Sequence, residues 1–137
     1  MILVDTGPLV ALFERRDHAH ESSKRTLATI ATHIVTTVPV LTEAFHLLSP
    51  ASRGAKALQQ FVSQKGLGVW FLDPASLARC FELMDEYADH PMDLADASLV
   101  AAAESNRCTK VFTIDRSDFA TYRARIGRTR RAFTVVS

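Results

Sequence analysis

Glycine, proline and cysteine are scarce in this chain: five, five and two among 137 residues. So little Gly and Pro, with no low-complexity stretch, excludes a collagen-like or disordered polypeptide. The two cysteines, Cys80 and Cys108, stand far apart, and neither belongs to a C-x-x-C pair. That excludes the dense disulfide framework of small secreted domains and the paired thiols of a zinc site. Two buried free thiols in a reducing compartment are the expectation. Apolar runs last only a few residues, far short of the roughly 20 needed to cross a bilayer. The start of the chain, Met1-Ile2-Leu3-Val4-Asp5, has no basic region and no long apolar one, so it does not read as a signal peptide. A cytoplasmic protein without membrane association is expected.

Apolar residues make up 47% of the chain, enough for a core in one domain covering residues 1–137. Net charge is only +1, but it is unevenly placed. Between Arg107 and Arg131, eight Lys or Arg face two Asp, a net +6 that leaves −5 on the rest. A basic C-terminal quarter on an acidic body points to a polyanionic partner as readily as to a solvated edge.

Hydrophobic patterning alternates between strands and helices. Ile2-Leu3-Val4, Ile34-Val35-Thr36, Leu67–Leu72 and Val111–Ile114 read as buried strands, and Phe133–Val136 as an edge strand. Between them fall a helical turn at Leu9–Phe13 and helices near 18–32, 39–48, 53–64, 74–87 and 93–104, with one further turn at 117–122. The first of these helices would start at Asp17 and bury Ala19, Leu27, Ile30 and Ala31. Helices linking successive strands imply a mostly parallel sheet covered on both faces, a three-layer α/β/α domain.

Against that frame four acids stand out. Asp5 follows the first strand, and Asp115 follows the fourth. Glu43 lies one turn into a helix with apolar neighbours, and Asp96 lies in an otherwise almost apolar helix. Ligands of open α/β sheets bind beyond the carboxyl ends of the strands. If the first and fourth strands are neighbours, Asp5 and Asp115 sit roughly 5 Å apart, the inter-strand spacing. A buried carboxylate without compensation is expensive, and no Lys or Arg lies within a few residues of Asp5, Glu43 or Asp96. A hard divalent cation is the natural partner of such a set. The plainer reading of Asp93 is a helix N-cap.

The segments Val4-Asp5-Thr6-Gly7-Pro8, Thr42-Glu43-Ala44, Leu94-Ala95-Asp96-Ala97-Ser98-Leu99 and Phe112-Thr113-Ile114-Asp115-Arg116-Ser117-Asp118-Phe119 resemble, in order and spacing, the four acidic motifs of the PIN-domain nucleases. The chain looks like the free-standing members, most of which are VapC-type toxins of toxin–antitoxin pairs. The resemblance implies a sheet of order 3-2-1-4-5. It also implies an endoribonuclease using Mg²⁺, with Mn²⁺ able to substitute, and products with 5′-phosphate and 3′-hydroxyl ends. The implied catalytic acids are Asp5, Glu43, Asp96 and Asp115, with Asp5, Asp96 and Asp115 on the metal and Glu43 orienting a water. Asp93, Asp118, Thr6 and Thr113 are accessory candidates, and Asp118 is the alternative fourth acid. A bound cation would generate hydroxide and stabilise the pentacoordinate phosphorane. The implied partners are tRNA or rRNA as substrate, a VapB-type antitoxin and a second copy of the chain in a homodimer. An RNA-processing enzyme or a catalytically silent RNA-binding module on the same fold are the alternatives. A phosphohydrolase with two acids in its first motif is excluded because Gly7 stands where the second acid belongs.

The remaining candidates are weaker. His18 and His20 form an H-x-H without further zinc-type ligands. His46 shares a helix face with Glu43. Gly66-Leu67-Gly68 precedes a strand, the wrong setting for a dinucleotide-binding turn. Arg116, Arg123, Arg125, Arg128, Arg130 and Arg131 are candidates for an RNA-binding rim. Phe13, Phe45 and Phe119 are candidates for lining a partner groove.

Overall fold

The computed structural model describes residues 1–137. Strand β1 (Ile2–Val4) is buried at all three residues. Successive strand side chains point to opposite faces, so both faces of β1 are covered. Asp5 then turns the chain into α1 (Thr6–Phe13). After α2 (His20–Thr29) come β2 (Ile34–Thr37), α3 (Val38–Leu48), α4 (Arg53–Ser63) and β3 (Gly68–Trp70). Helices α5 (Pro74–Glu86) and α6 (Leu94–Asn106) precede β4 (Lys110–Phe112) and the short α7 (Arg116–Thr121). Strands β5 (Arg123–Ile126), β6 (Thr129–Ala132) and β7 (Thr134–Val136) complete the chain.

Five strands form one sheet in the order β3-β2-β1-β4-β7, and every pairing in it is parallel. The expected order is therefore found, with β7 as its fifth strand. The difference is the antiparallel β5–β6 hairpin, inserted before β7 and absent from the sequence-based reading. Helix α1 packs on α2, α3 and α4, while α6 packs on β1, β2, α3, α5 and β5. Helix α6 comes close because its inner residues are small: Ala95, Ala97, Ser98, Ala101, Ala102 and Ala103 are all buried.

Caps fix the helix starts. Thr37 accepts from Val40 N, Ser52 from Ala55 N, and Asp73 from Ser76 N in a full capping box. Helix α2 departs from expectation. It starts at His20, because Asp17 spends its carboxylate on the Ala19 N–H at 2.8 Å. Leu27 and Ile30 are only half-buried and Ala31 is exposed. Both cysteines are free; Cys80 is buried, but Cys108 is half-buried, with its thiol 3.2 Å from Met1 O.

The α1–α4 contact is tight at Gly54, where an added Cβ would lie 2.4 Å from the Phe13 carbonyl oxygen. Alanine gains about 1 kcal/mol over glycine in a helix, but overpacking against fixed backbone costs typically 1–3 kcal/mol. Gly54→Ala is expected to lower stability by up to about 2 kcal/mol in urea unfolding. A stabilised variant would show that α1 and α4 slide apart freely.

Candidate active site

Asp5 is held as a continuation of the sheet. Its N–H donates to Phe112 O at 3.0 Å, so its carboxylate leaves the carboxyl end of β1 between β2 and β4. There it caps α1, accepting from Thr6 N at 2.8 Å through Oδ1. Oδ2 accepts from Thr113 Oγ1 at 2.9 Å. Burial pushes the Asp5 carboxyl up to about 6; the Thr6 and Thr113 hydrogen bonds oppose this, and the charges of Glu43 and Asp93 add to it.

Asp96 reaches the same place from the first turn of α6, whose N-cap Asp93 accepts from Asp96 N at 2.8 Å. Burial and the charges of Asp93 and Asp5 push Asp96 up to about 7. The Tyr122 hydroxyl opposes this, and the Asp118 charge adds to it. Glu43 projects from α3 with no hydrogen-bond partner close enough to hold it. Glu43 and Asp93 thus act electrostatically on Asp5, and Asp93, Asp5 and Asp118 on Asp96.

Asp115 is placed differently from expectation. Strand β4 ends at Phe112, and the register pairs Val4 with Phe112. Thr113, not Asp115, therefore stands across from Asp5. The Asp115 carboxylate is exposed and caps α7, accepting from Ser117 N at 3.1 Å and Ser117 Oγ at 2.7 Å. Asp115 does not directly follow the strand, because the ladder stops before Thr113; the Thr113 hydroxyl lies between the two acids, 2.9 Å from Asp5 Oδ2 and 3.3 Å from Asp115 O. Asp118, one turn later, is half-buried and accepts from His90 Nε2 at 2.8 Å.

No Lys or Arg forms an ion pair with Asp5, Glu43, Asp93, Asp96 or Asp115; the arginine–carboxylate pairs are elsewhere, at Glu14, Glu82, Glu86 and Glu104. The side chains do not close into a preformed cage of three ligands. Two observations nevertheless fit a hydrated divalent cation. Asp5 and Asp96 are desolvated without a counter-charge. Thr6, the residue after Asp5, carries the buried side-chain polar atom that has no partner, Oγ1. Mg²⁺ keeps several waters and takes few direct carboxylates, so an open set of acids with a spare hydroxyl suits it.

Two residues that sequence reasoning did not single out complete the surroundings. The buried Tyr122 donates its hydroxyl to Asp96 Oδ2 at 3.1 Å, and its ring meets Tyr87, His90 and Phe119 edge-on. His90 holds Asp118. The other candidates fall away from the site. His20 Nδ1 contacts Ala11 O, and His18 is exposed beside Asp17. His46 is exposed at the end of α3. Phe119 is core, Phe45 packs against the core, and Phe13 lines a cavity of about 860 Å³ between α1, α2 and α4 that contains none of the acids. Arg116 is tied to Ser137.

Comparison with known proteins agrees with this geometry. The family model for the PIN domain matches residues 2–124. The protein named ribonuclease VapC26 of Mycobacterium tuberculosis is 26% identical over 138 residues, covering 98% of this chain and 99% of that protein. The crystal structure of Mycobacterium tuberculosis VapC20, described as a sarcin–ricin loop cleaving toxin, superposes with a TM-score of 0.81 at 20% identity, covering 95% of this chain and 99% of that one. A toxin–antitoxin complex from Klebsiella pneumoniae contributes a chain with a TM-score of 0.69 at 21% identity, covering 88% and 92%.

The raised carboxyls set a pH dependence. Between about pH 4 and 7 the folded chain binds protons on Asp5 and Asp96 that the unfolded chain has released, so stability falls as pH rises through that window. Each tenfold difference in proton affinity between the folded and unfolded chain is worth about 1.4 kcal/mol. Discounted for the mutual repulsion of the two groups and for the solvent that reaches Asp96, the loss is roughly 2–4 kcal/mol. In EDTA, the wild-type Tm should drop from pH 5 to pH 7.5 by more than that of the Asp5→Asn/Asp96→Asn double variant. Equal drops would show that these two carboxyls are not strained.

Proposed function

This chain belongs to the PIN domain family, and on that premise we propose that it is a metal-dependent endoribonuclease, the toxin of a toxin–antitoxin pair. The observation that carries the reading is the desolvated pair Asp5 and Asp96, which no Lys or Arg compensates and on which the charges of Glu43, Asp93 and Asp118 act. The nearest support for the activity is the ribonuclease name of the VapC26 relative, aligned almost end to end with this chain. Residues 1–137 are read as one functional domain. No helix is long and apolar enough to cross a membrane, and the proposed site of action is the cytoplasm.

Asp5 and Asp96 are the proposed ligands of a divalent cation, Mg²⁺ or Mn²⁺, with Asp118 or Asp115 as the further acid from the α7 segment. Such a cation, when bound, supplies Lewis acidity at the phosphate and acidifies a water. The protein's own groups do the rest. The Thr6 N–H and Thr113 hydroxyl fix both oxygens of Asp5, and the Tyr122 hydroxyl fixes one oxygen of Asp96. Glu43, whose charge acts on Asp5, is the proposed group that orients the attacking water and accepts its proton. The buried Thr6 Oγ1 is a donor in reserve for a phosphate oxygen or a bound water. In-line attack by that water leaves a 5′-phosphate and a 3′-hydroxyl. The substrate is a structured RNA, tRNA or rRNA; the VapC20 relative is described as cleaving the sarcin–ricin loop. The proposed protein partners are an antitoxin, as in the Klebsiella pneumoniae complex, and a second copy of the chain.

Purified protein is expected to cut total cellular RNA in Mg²⁺ or Mn²⁺ and not in EDTA. Asp5→Asn and Asp96→Asn should each reduce cleavage by about a hundredfold or more, the upper range for disrupting a metal site, with the fold retained by circular dichroism. Unaffected cleavage by either would overturn the assignment. Because the Asp118 charge acts on Asp96 while the exposed Asp115 carboxylate is spent capping α7, Asp118→Asn should weaken Mn²⁺ binding, read by electron paramagnetic resonance, more than Asp115→Asn does. The Tyr122→Phe variant keeps the ring packing and loses the bond to Asp96. It should raise the Mg²⁺ concentration for half-maximal rate by about 10-fold, the lower end for losing a partner of a metal ligand, with little change in Tm.

A further inference from the structure

The β5–β6 hairpin carries Arg123, Arg125, Arg128, Arg130 and Arg131, and from Tyr122 to the last residue there is no acid. The PIN domain match ends at residue 124, so most of this basic hairpin lies outside the pattern that defines the family. Its faces are set by register. Residues directly opposite in an antiparallel pair share a face. Ala124 and Ile126 are buried, on the strand that packs on α6. Arg125 stands opposite Arg130 on the alternate, outward face, whereas Arg131 stands opposite Ala124 on the other face and reaches solvent from the second strand of the ribbon.

Folding does not account for this placement. Like charges directly opposite destabilise a ribbon. Arg130 is offset by Glu86 at 2.8 Å, and Arg123 folds its guanidinium over the carbonyls of Ala120, Thr121 and Tyr122. Arg125, Arg128 and Arg131 are exposed and have no acidic partner.

The hairpin is fastened beside the acids. Its first strand follows Tyr122, which reaches Asp96, and Arg125 N donates to Glu104 Oε2 at 2.7 Å. Its turn, at Gly127, faces the Arg107 guanidinium at the far end of α6. At 1.5 Å per residue, Asp96 to Arg107 spans on the order of 16 Å. The ribbon therefore leads away from the acids along α6. Proteins that hold single strands stack bases on aromatic rings. Here Tyr122 is buried and Phe133 packs on Phe119, so the exposed surface offers charge alone. Charge without base-reading groups contacts phosphates, and duplex RNA is recognised mostly through its shape and backbone.

We propose that the β5–β6 hairpin is a docking arm for duplex RNA, in which Arg125, Arg128 and Arg131, with Arg107 at the turn, hold the backbone of a stem while an adjoining strand enters the acidic site. What the acidic site does to that strand rests on the nuclease reading; the arm's own claim is binding. Binding is measured by fluorescence anisotropy in EDTA, with a stem–loop RNA of about 16 base pairs, the span of a double-stranded RNA-binding module. The variant Arg125→Ala/Arg128→Ala/Arg131→Ala should bind about tenfold or more weakly at low salt. Its plot of log affinity against log salt should be shallower by about 2–3, close to one for each phosphate no longer held. A single strand of equal length should lose less. A charge-matched control on another face, Arg25→Ala/Arg53→Ala/Lys56→Ala, should bind the stem nearly as wild type does. Equal losses in both variants would reduce the arm to net charge and overturn the proposal. Undiminished stem binding by the hairpin variant would also overturn it and assign the arm to a protein partner. Cleavage plays no part in the readout, so an inactive enzyme would leave the arm standing and a failed arm would leave the nuclease standing.

Discussion

Like-charge repulsion in a poorly solvated place is the constraint around which this fold is arranged. Asp5 and Asp96 would each be more stable apart, and burial holds both well above the usual carboxylate range. The sheet prevents escape. Asp5 is hydrogen-bonded into the ladder through Phe112 O, and β1 has neighbours on both sides. Its carboxylate has nowhere to go but the carboxyl end of the sheet. The protein's own compensation is partial: backbone N–H groups and hydroxyls, with no cationic side chain.

Those backbone groups come from helix N-termini. Asp5 caps α1, Asp93 caps α6 and Asp115 caps α7. Each helix start presents unpaired N–H groups and a partial positive charge that favours acids by about 0.3–1 kcal/mol. Three helices beginning in one region therefore tolerate acids there without neutralising them. The small residues of α6 serve the same end. Ala95, Ala97 and Ser98 let the helix approach the sheet, and Ser98 Oγ lies 2.6 Å from Thr37 Oγ1 at the end of β2. With larger side chains there, Asp96 would stand farther from Asp5, and the repulsion that marks the site would relax.

The sequence made some of this legible and hid the rest for physical reasons. Asp5 and Asp96 were readable because an acid bordering an apolar strand, or inside an apolar helix, has no local explanation. The end of β4 was misjudged because Thr113 and Ile114 are β-branched and prolong the strand pattern, whereas pairing ends at Phe112 with both neighbours. The hairpin was missed because β6 is exposed at all four residues, so it shows no apolar alternation. Its one signal was local: Gly127, at φ 63° in the two-residue turn between Ile126 and Thr129, is the residue such turns favour. Tyr122 and His90 act on acids 26 and 28 residues away, and no spacing rule reaches that far.

The two charged regions are separated by more than their signs. An RNA phosphate approaching the uncompensated acids is repelled until a cation occupies them. The far end of the basic hairpin cannot relieve this by its field. At physiological salt the Debye length is about 8 Å, and the turn of the hairpin lies on the order of 16 Å along α6 from Asp96. Its attraction is therefore largely screened at the point of reaction. It can still act on phosphates that touch it directly, where contact releases condensed ions. Arginines so placed contribute by holding RNA elsewhere along its length, which turns entry of the scissile strand into a nearly intramolecular event. The division of charge along the chain then corresponds to a division of labour: acids that gain by accepting a cation, and arginines that keep the polyanion close while they do.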